Sequence, residues 1–175
     1  MFSNTIIYFY ESLLQKFSKN DTVKEKLIEI YITAGRYDEA KKLISASAPK
    51  AIFDLFLGDI EMASGNSDAA LTIWESTAEK NNADHSLLFK AAERFNKYGY
   101  SEKAISLYEQ SYEQAPSPKE LDSVYARAFL YTNLGRKAEA ISMWNLITKS
   151  LSDDYGINDG ECVDWAKREI ANLSL

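Results

Sequence analysis

Residues 92–116 read AERFNKYGYSEKAISLYEQSYEQAP, and the order of small, aromatic and hinge residues in this stretch decides the fold. Ala92 and Phe95 precede Gly99, Ala104 and Tyr108 follow it, and Pro116 closes the unit. The core of the pattern is a glycine, an alanine five residues later and a large apolar residue four further on. It recurs as Gly35-Ala40-Ile44, Gly65-Ala70-Trp74 and Gly135-Ala140-Trp144. The successive glycines lie 30, 34 and 36 residues apart. Recurrence at such a period marks a repeat architecture in which no unit buries its own apolar face and stacked neighbours supply the core.

Each position has a physical role. The glycine sits where a first helix must end and the chain reverse, because glycine tolerates the left-handed backbone common just past a helix C-terminus. Alanine early in the second helix lets the paired helices approach closely. The larger residue one turn further along the same face fills the space between them. Val23, Leu27, Ile30 and Ala34, then Phe53, Leu57 and Ile60, form core stripes at helical spacing. The periodicity predicts helices over 3–18, 21–34, 37–47, 50–64, 67–80, 84–98, 101–114, 118–134, 137–151 and 160–173. With 7 Gly and 3 Pro in 175 residues, breakers are few, which suits long helices joined by short turns.

On these residues the chain resembles the tetratricopeptide repeat family. Beside the third unit, the fourth carries Ala128, Tyr131, Gly135, Ala140 and Trp144, and the first carries Tyr31, Gly35, Ala40 and Ile44. Departures are Glu61 and Ile44 where the family has aromatics, and Arg127 at an apolar site. The resemblance implies an all-α fold, a right-handed α-solenoid of antiparallel helix pairs spanning 1–175 as one domain. Its repeats would run over 21–50, 51–84, 85–118 and 119–151. The helix over 3–18, with an apolar stripe at Ile6, Tyr10, Leu13, Leu14 and Phe17, is either a cap or half of a repeat in a longer array. The helix over 160–173 caps the other end, with Trp165 and Ile170 packing inward.

Composition narrows the functional classes. A net charge of −6 opposes general nucleic-acid binding, since polyanionic backbones are held by clustered Lys and Arg. No stretch approaches the roughly 18 apolar residues of a membrane span, and Ile6 to Tyr10 lacks the basic flank and cleavage site of a signal peptide. A lone cysteine, Cys162, forms no intrachain disulfide, so the expectation is a soluble, cytoplasmic protein.

Chemistry is sparse. His85, the single histidine, stands beside Asp84 at a helix start and reads as a surface or capping residue; Cys162 reads as core packing. The acidic loop 153–161 fails as a calcium site, because neither glycine can occupy the sixth position of a calcium loop while Glu stands at the twelfth. No phosphate loop, nucleophile elbow or zinc motif is present, so the expectation is no enzyme, no cofactor and no metal.

What remains is the concave surface that, by the resemblance, the first helix of each repeat lines. Counting back ten residues from each hinge glycine gives Glu25, Leu55, Phe89 and Tyr125; six gives Glu29, Asp59, Glu93 and Phe129; three adds Met62. These offsets share one helix face. The face mixes acids with apolar and aromatic side chains and suits a protein or peptide partner with basic and apolar anchors. Glu25 and Glu29 stand where chaperone-binding relatives place a lysine and an asparagine, and they would repel a carboxylate ligand. Three readings follow: an interaction module, scaffold or adaptor binding a peptide or helical segment; a peptide-sensing regulatory domain of a larger protein; or a chaperone for a secreted or apolar client. The partner's identity and the oligomeric state are not encoded in any recognisable motif.

Overall fold

Four of the glycines do what the hinge pattern asks of them. In the computed structural model, which describes residues 4–175, Gly35, Gly65, Gly99 and Gly135 have φ of 74°, 87°, 83° and 70°. Gly99 N–H donates to the Asn96 carbonyl at 3.1 Å and Tyr100 N–H to the Phe95 carbonyl at 2.9 Å. This is the Schellman pair that closes a helix C-terminus by satisfying its last carbonyls. The other three hinges make the same two bonds. An apolar contact between the two residues bracketing the motif usually accompanies it. Here Tyr100 meets Phe95 edge to face at 6.3 Å, and Arg36 and Arg136 lie over the Tyr31 and Tyr131 rings at 4.8 and 4.7 Å. At the second hinge Glu61 replaces the aromatic, and Asn66 compensates with a side-chain hydrogen bond to it at 2.8 Å.

The described residues form ten helices: α1 (Asn4–Lys16), α2 (Asp21–Thr33), α3 (Tyr37–Ser45), α4 (Ala51–Ala63), α5 (Ser67–Lys80), α6 (His85–Lys97), α7 (Ser101–Gln114), α8 (Asp122–Asn133), α9 (Lys137–Asp153) and α10 (Glu161–Ser174). They group into two compact units, Met1–Lys80 and Asn81–Leu175. In the first unit α2 pairs with α3 and α4 with α5, while α1 packs on α2 and α4 on α2. In the second, α6 pairs with α7 and α8 with α9, α7 packs on α8, and α10 on α9.

Volume complementarity sets how closely the pairs approach. Ala40, Ala70, Ala104 and Ala140 are all completely buried. Seven residues before each hinge stand Ile28, Gly58, Ala92 and Ala128; nine after stand Ile44, Trp74, Tyr108 and Trp144. The three aromatic residues thus share their register with Gly58, Ala92 and Ala128, and the smaller Ile44 with Ile28. Gly58 leaves room for the indole of Trp74: a Cβ there would sit 2.3 Å from its Nε1. That nitrogen instead donates to the Leu55 carbonyl at 3.0 Å. In the fourth repeat Ala128 occupies the equivalent place, and Trp144 Nε1 is buried with no partner among the described residues.

Several expectations need correction. Ala34 is exposed, because it is the C-cap of α2 rather than part of its last inward turn; Ile28 and Tyr31 complete that core face instead. On α1 the buried residue is Ile7, while Ile6 and Phe17 are exposed, because α2 covers a different arc of the helix from the one the stripe suggested. Helix α8 begins at Asp122, not 118, because the preceding loop is tied elsewhere. Lys119 Nζ donates to the Tyr112 and Glu113 carbonyls at the end of α7, both at 3.1 Å, and the Tyr155 hydroxyl donates to the Lys119 carbonyl at 2.8 Å. Cys162 is exposed, since Val163 and Ala166 supply the inward face of α10. Helix α4, apolar on nearly every side, is covered by its neighbours: Ile52, Phe53, Leu55, Phe56 and Ile60 are all buried.

Candidate functional site

Within Asn81–Leu175 the first-helix face of α6 and α8 is built from the outside of two hairpins. Asp84 starts α6 by accepting a hydrogen bond from Leu87 N–H at 3.0 Å, so His85, half-buried, is free of the capping role and turns toward Glu120 at 3.9 Å. Behind it, Ser123 donates to Ser111 at 2.9 Å and Ser111 to the His85 carbonyl at 2.8 Å. This buried polar chain links the starts of α6 and α8 through α7. A cavity of about 160 Å³ opens above it, with Phe89, Glu93, Asp122 and Glu120 among its lining residues.

Further along α8 an aromatic cluster forms. Tyr125 stacks on Trp165 of α10 with centroids 5.8 Å apart and planes 10° apart. Phe129 meets Trp165 at 5.5 Å and Trp144 edge to face at 5.3 Å. Phe129 nonetheless keeps 42 % of its surface exposed, an apolar ring held firmly at the protein's surface. Trp165 is half-buried against the same core, which Val163 and Ala166 anchor. Burial raises the Tyr125 hydroxyl pKa, and it pushes that of Tyr108 up to about 12, with the charge of Glu93 adding to the effect and Asn96 opposing it.

In Met1–Lys80 the predicted positions lie on α2 and α4, which pack directly on one another. Glu29 is exposed and bonded to Lys26 on its own helix at 2.8 Å. Glu25, Asp59 and Met62 are half-buried. The charge of Glu25 helps raise the pKa of Lys50, whose main partner is Asp21. The acidic row is therefore interleaved with lysines rather than purely anionic. Leu55 is the one predicted lining residue that cannot serve: its side chain is completely buried, because α4 is covered where the other first helices are open. Sequence reasoning did not single out Ser111 and Ser123, and it gave Trp165 a packing role only. Arg127, which departs from the apolar residue of the pattern, is buried and bonded to Glu109 of α7 at 3.0 Å. Among the described residues no three His, Cys, Asp or Glu side chains are placed to hold a metal ion, and no helix is long and apolar enough to cross a membrane.

No protein-family model matches the sequence, and no curated protein matches it significantly. Solved structures do match. TTC0263, a thermophilic TPR protein of Thermus thermophilus, aligns with a TM-score of 0.61 over 97 % of this chain and 89 % of its own, at 17 % identity. YrrB, a TPR protein with an unusual peptide-binding site, aligns at 0.53 over 94 % and 83 %, with 20 % identity. MamA aligns at 0.54 over 89 % and 86 %, with 18 % identity. The fold is that of the tetratricopeptide repeat. At these identities the likeness is one of fold. What the chain shares with these structures is the arrangement of its helices; the side chains of α2, α4, α6, α8 and α10 are this chain's own.

Proposed function

We propose that the protein is a non-catalytic interaction module that holds a peptide or helical segment with basic and apolar anchors. In Asn81–Leu175 the segment lies on α6 and α8, with Phe89, Tyr125 and Phe129 taking apolar side chains and Glu93 a basic one. In Met1–Lys80 the corresponding contacts come from Glu25, Glu29, Asp59 and Met62. The observation that carries this reading is Phe129, a ring packed edge to face on Trp144 yet two-fifths exposed beside the stacked Tyr125–Trp165 pair. Rigid, partly exposed aromatics lose little entropy on binding and are the side chains on which interface energy concentrates. The fold supports the reading further, since a neighbour of the same fold is described as having a peptide-binding site.

The test is selection from a displayed random-peptide library, followed by calorimetric titration of an enriched peptide. Enriched sequences should combine Lys or Arg with aromatic or aliphatic residues. Phe129→Ala should weaken the chosen peptide at least about tenfold, or ~1.4 kcal/mol. Glu93→Lys should weaken it while leaving thermal unfolding unchanged. Enrichment of acidic peptides, or equal affinity for both variants, would overturn the assignment.

A further inference from the structure

We infer that the cavity lined by α6, α7 and α8 seats the partner's basic anchor, and that this anchor is a lysine whose ammonium enters as a hydrogen-bond donor. The inference rests on the reading of α6 and α8 as the binding face, because Phe89 and Glu93 belong both to that face and to the cavity wall.

The polar part of the cavity wall is polar in one direction only. The His85 carbonyl accepts and cannot donate, so the Ser111 hydroxyl, 2.8 Å away, spends its hydrogen there. Ser123, 2.9 Å from Ser111, must then donate to Ser111 in turn. The two serines are 3 and 4 % exposed, and both line the cavity. The Ser123 oxygen is left with its hydrogen committed and its lone pairs unused, and among the described residues no donor reaches it. A buried acceptor without a donor is costly, and a ligand that brings N–H groups removes the cost.

Charge and size narrow that ligand further. Glu93, Glu120 and Asp122 line the cavity against one lysine, Lys90, and the imidazole of His85, which lies 3.9 Å from Glu120. The starts of α6 and α8 each bring about half a positive charge of helix dipole, together less than the surplus of carboxylates. Phe89, whose ring lies 5.3 Å from that of Tyr108, and the buried Ala115 supply an apolar wall for a methylene stem. The cavity measures about 160 Å³. A cavity of about 150 Å³ holds benzene, with its six heavy atoms. A lysine side chain has five beyond Cα and an arginine seven. A guanidinium would also bring five N–H groups in a rigid fork to a wall with one unfilled buried oxygen, whereas the compact ammonium brings three. Ser123 takes one of these, and the carboxylates take the others.

Titration of the isotope-labelled full chain with n-butylammonium chloride, followed by backbone amide shifts, tests the cavity directly. Saturable shifts should appear at Ser86, Ser111 and Ser123, with a dissociation constant on the order of millimolar. n-Butylguanidinium, and n-butyltrimethylammonium, which has no N–H, should each bind at least about tenfold more weakly. Ser123→Ala should weaken n-butylammonium at least about fivefold. The paired changes Glu120→Gln and Asp122→Asn, at exposed residues that leave the buried serines in place, should do the same. Circular dichroism of both variants confirms the helical fold. Shifts that do not saturate, equal binding of the trimethylammonium probe, or a preference for propionate overturn the inference. In a library-selected peptide, exchanging lysine for arginine should weaken binding at least about tenfold. An exchange without effect overturns the lysine anchor and leaves the interaction module in place. A library that enriches no peptide removes the module instead, and the n-butylammonium titration still decides the cavity.

Discussion

At the scale of single residues, the tightest constraint is Gly58 against Trp74. Gly58→Ala would push a methyl group to within 2.5 Å of both Nε1 and Cδ1 of the indole, breaking its bond to the Leu55 carbonyl. Urea unfolding should show a loss of about 1–3 kcal/mol, the usual cost of forcing extra volume into a packed core. Tyr31 and Tyr108 give a pH signature of their own. Burial lifts both hydroxyls from 10.0 to about 12. The native state therefore holds their protons where the unfolded chain has released them. Their contribution is complete below pH 10 and is lost between pH 10 and about 12, so the urea midpoint should fall across that window. Tyr108→Phe should flatten the fall, and an unchanged slope would contradict the assignment.

Among the elements, α10 is the informative one, because it completes a face that α8 begins. Trp165→Ala removes the ring that stacks on Tyr125 and touches Phe129 and Trp144. For a half-buried tryptophan the expected loss is about 1–3 kcal/mol, with Phe129 becoming more mobile. Thermal melts and near-ultraviolet circular dichroism read both effects. The hinges of these elements were legible in the sequence, since only glycine at Gly35, Gly65, Gly99 and Gly135 suits the positive φ that a Schellman turn needs. The lone glycine within the apolar run of α4 carried a readable signal of close approach, although its partner, Trp74, did not. Less legible was anything set by contacts distant in sequence. The stacking of Trp165 on Tyr125 joins residues 40 apart. The late start of α8 depends on Lys119 reaching back to α7, and the burial of Leu55 depends on which neighbours cover α4. Helical periodicity carries none of that information.

For the molecule as a whole, the composition of the presented side chains decides what it can hold. Acids at Glu29, Asp59 and Glu93 recur at one register of three first helices, while the apolar rings at that face gather in Asn81–Leu175. Reversing all three charges together should abolish the preference for basic peptides and leave the melting temperature within a few degrees, because exposed ion pairs such as Glu29–Lys26 contribute little to stability. The most direct test of the account is to map where a library-selected peptide binds, by following backbone amide chemical shifts during titration of the isotope-labelled protein. The account predicts that the perturbed amides concentrate on α6 and α8 around Phe89, Glu93, Tyr125 and Phe129. Perturbations confined to the second helices α7 and α9, with that face unmoved, would contradict it.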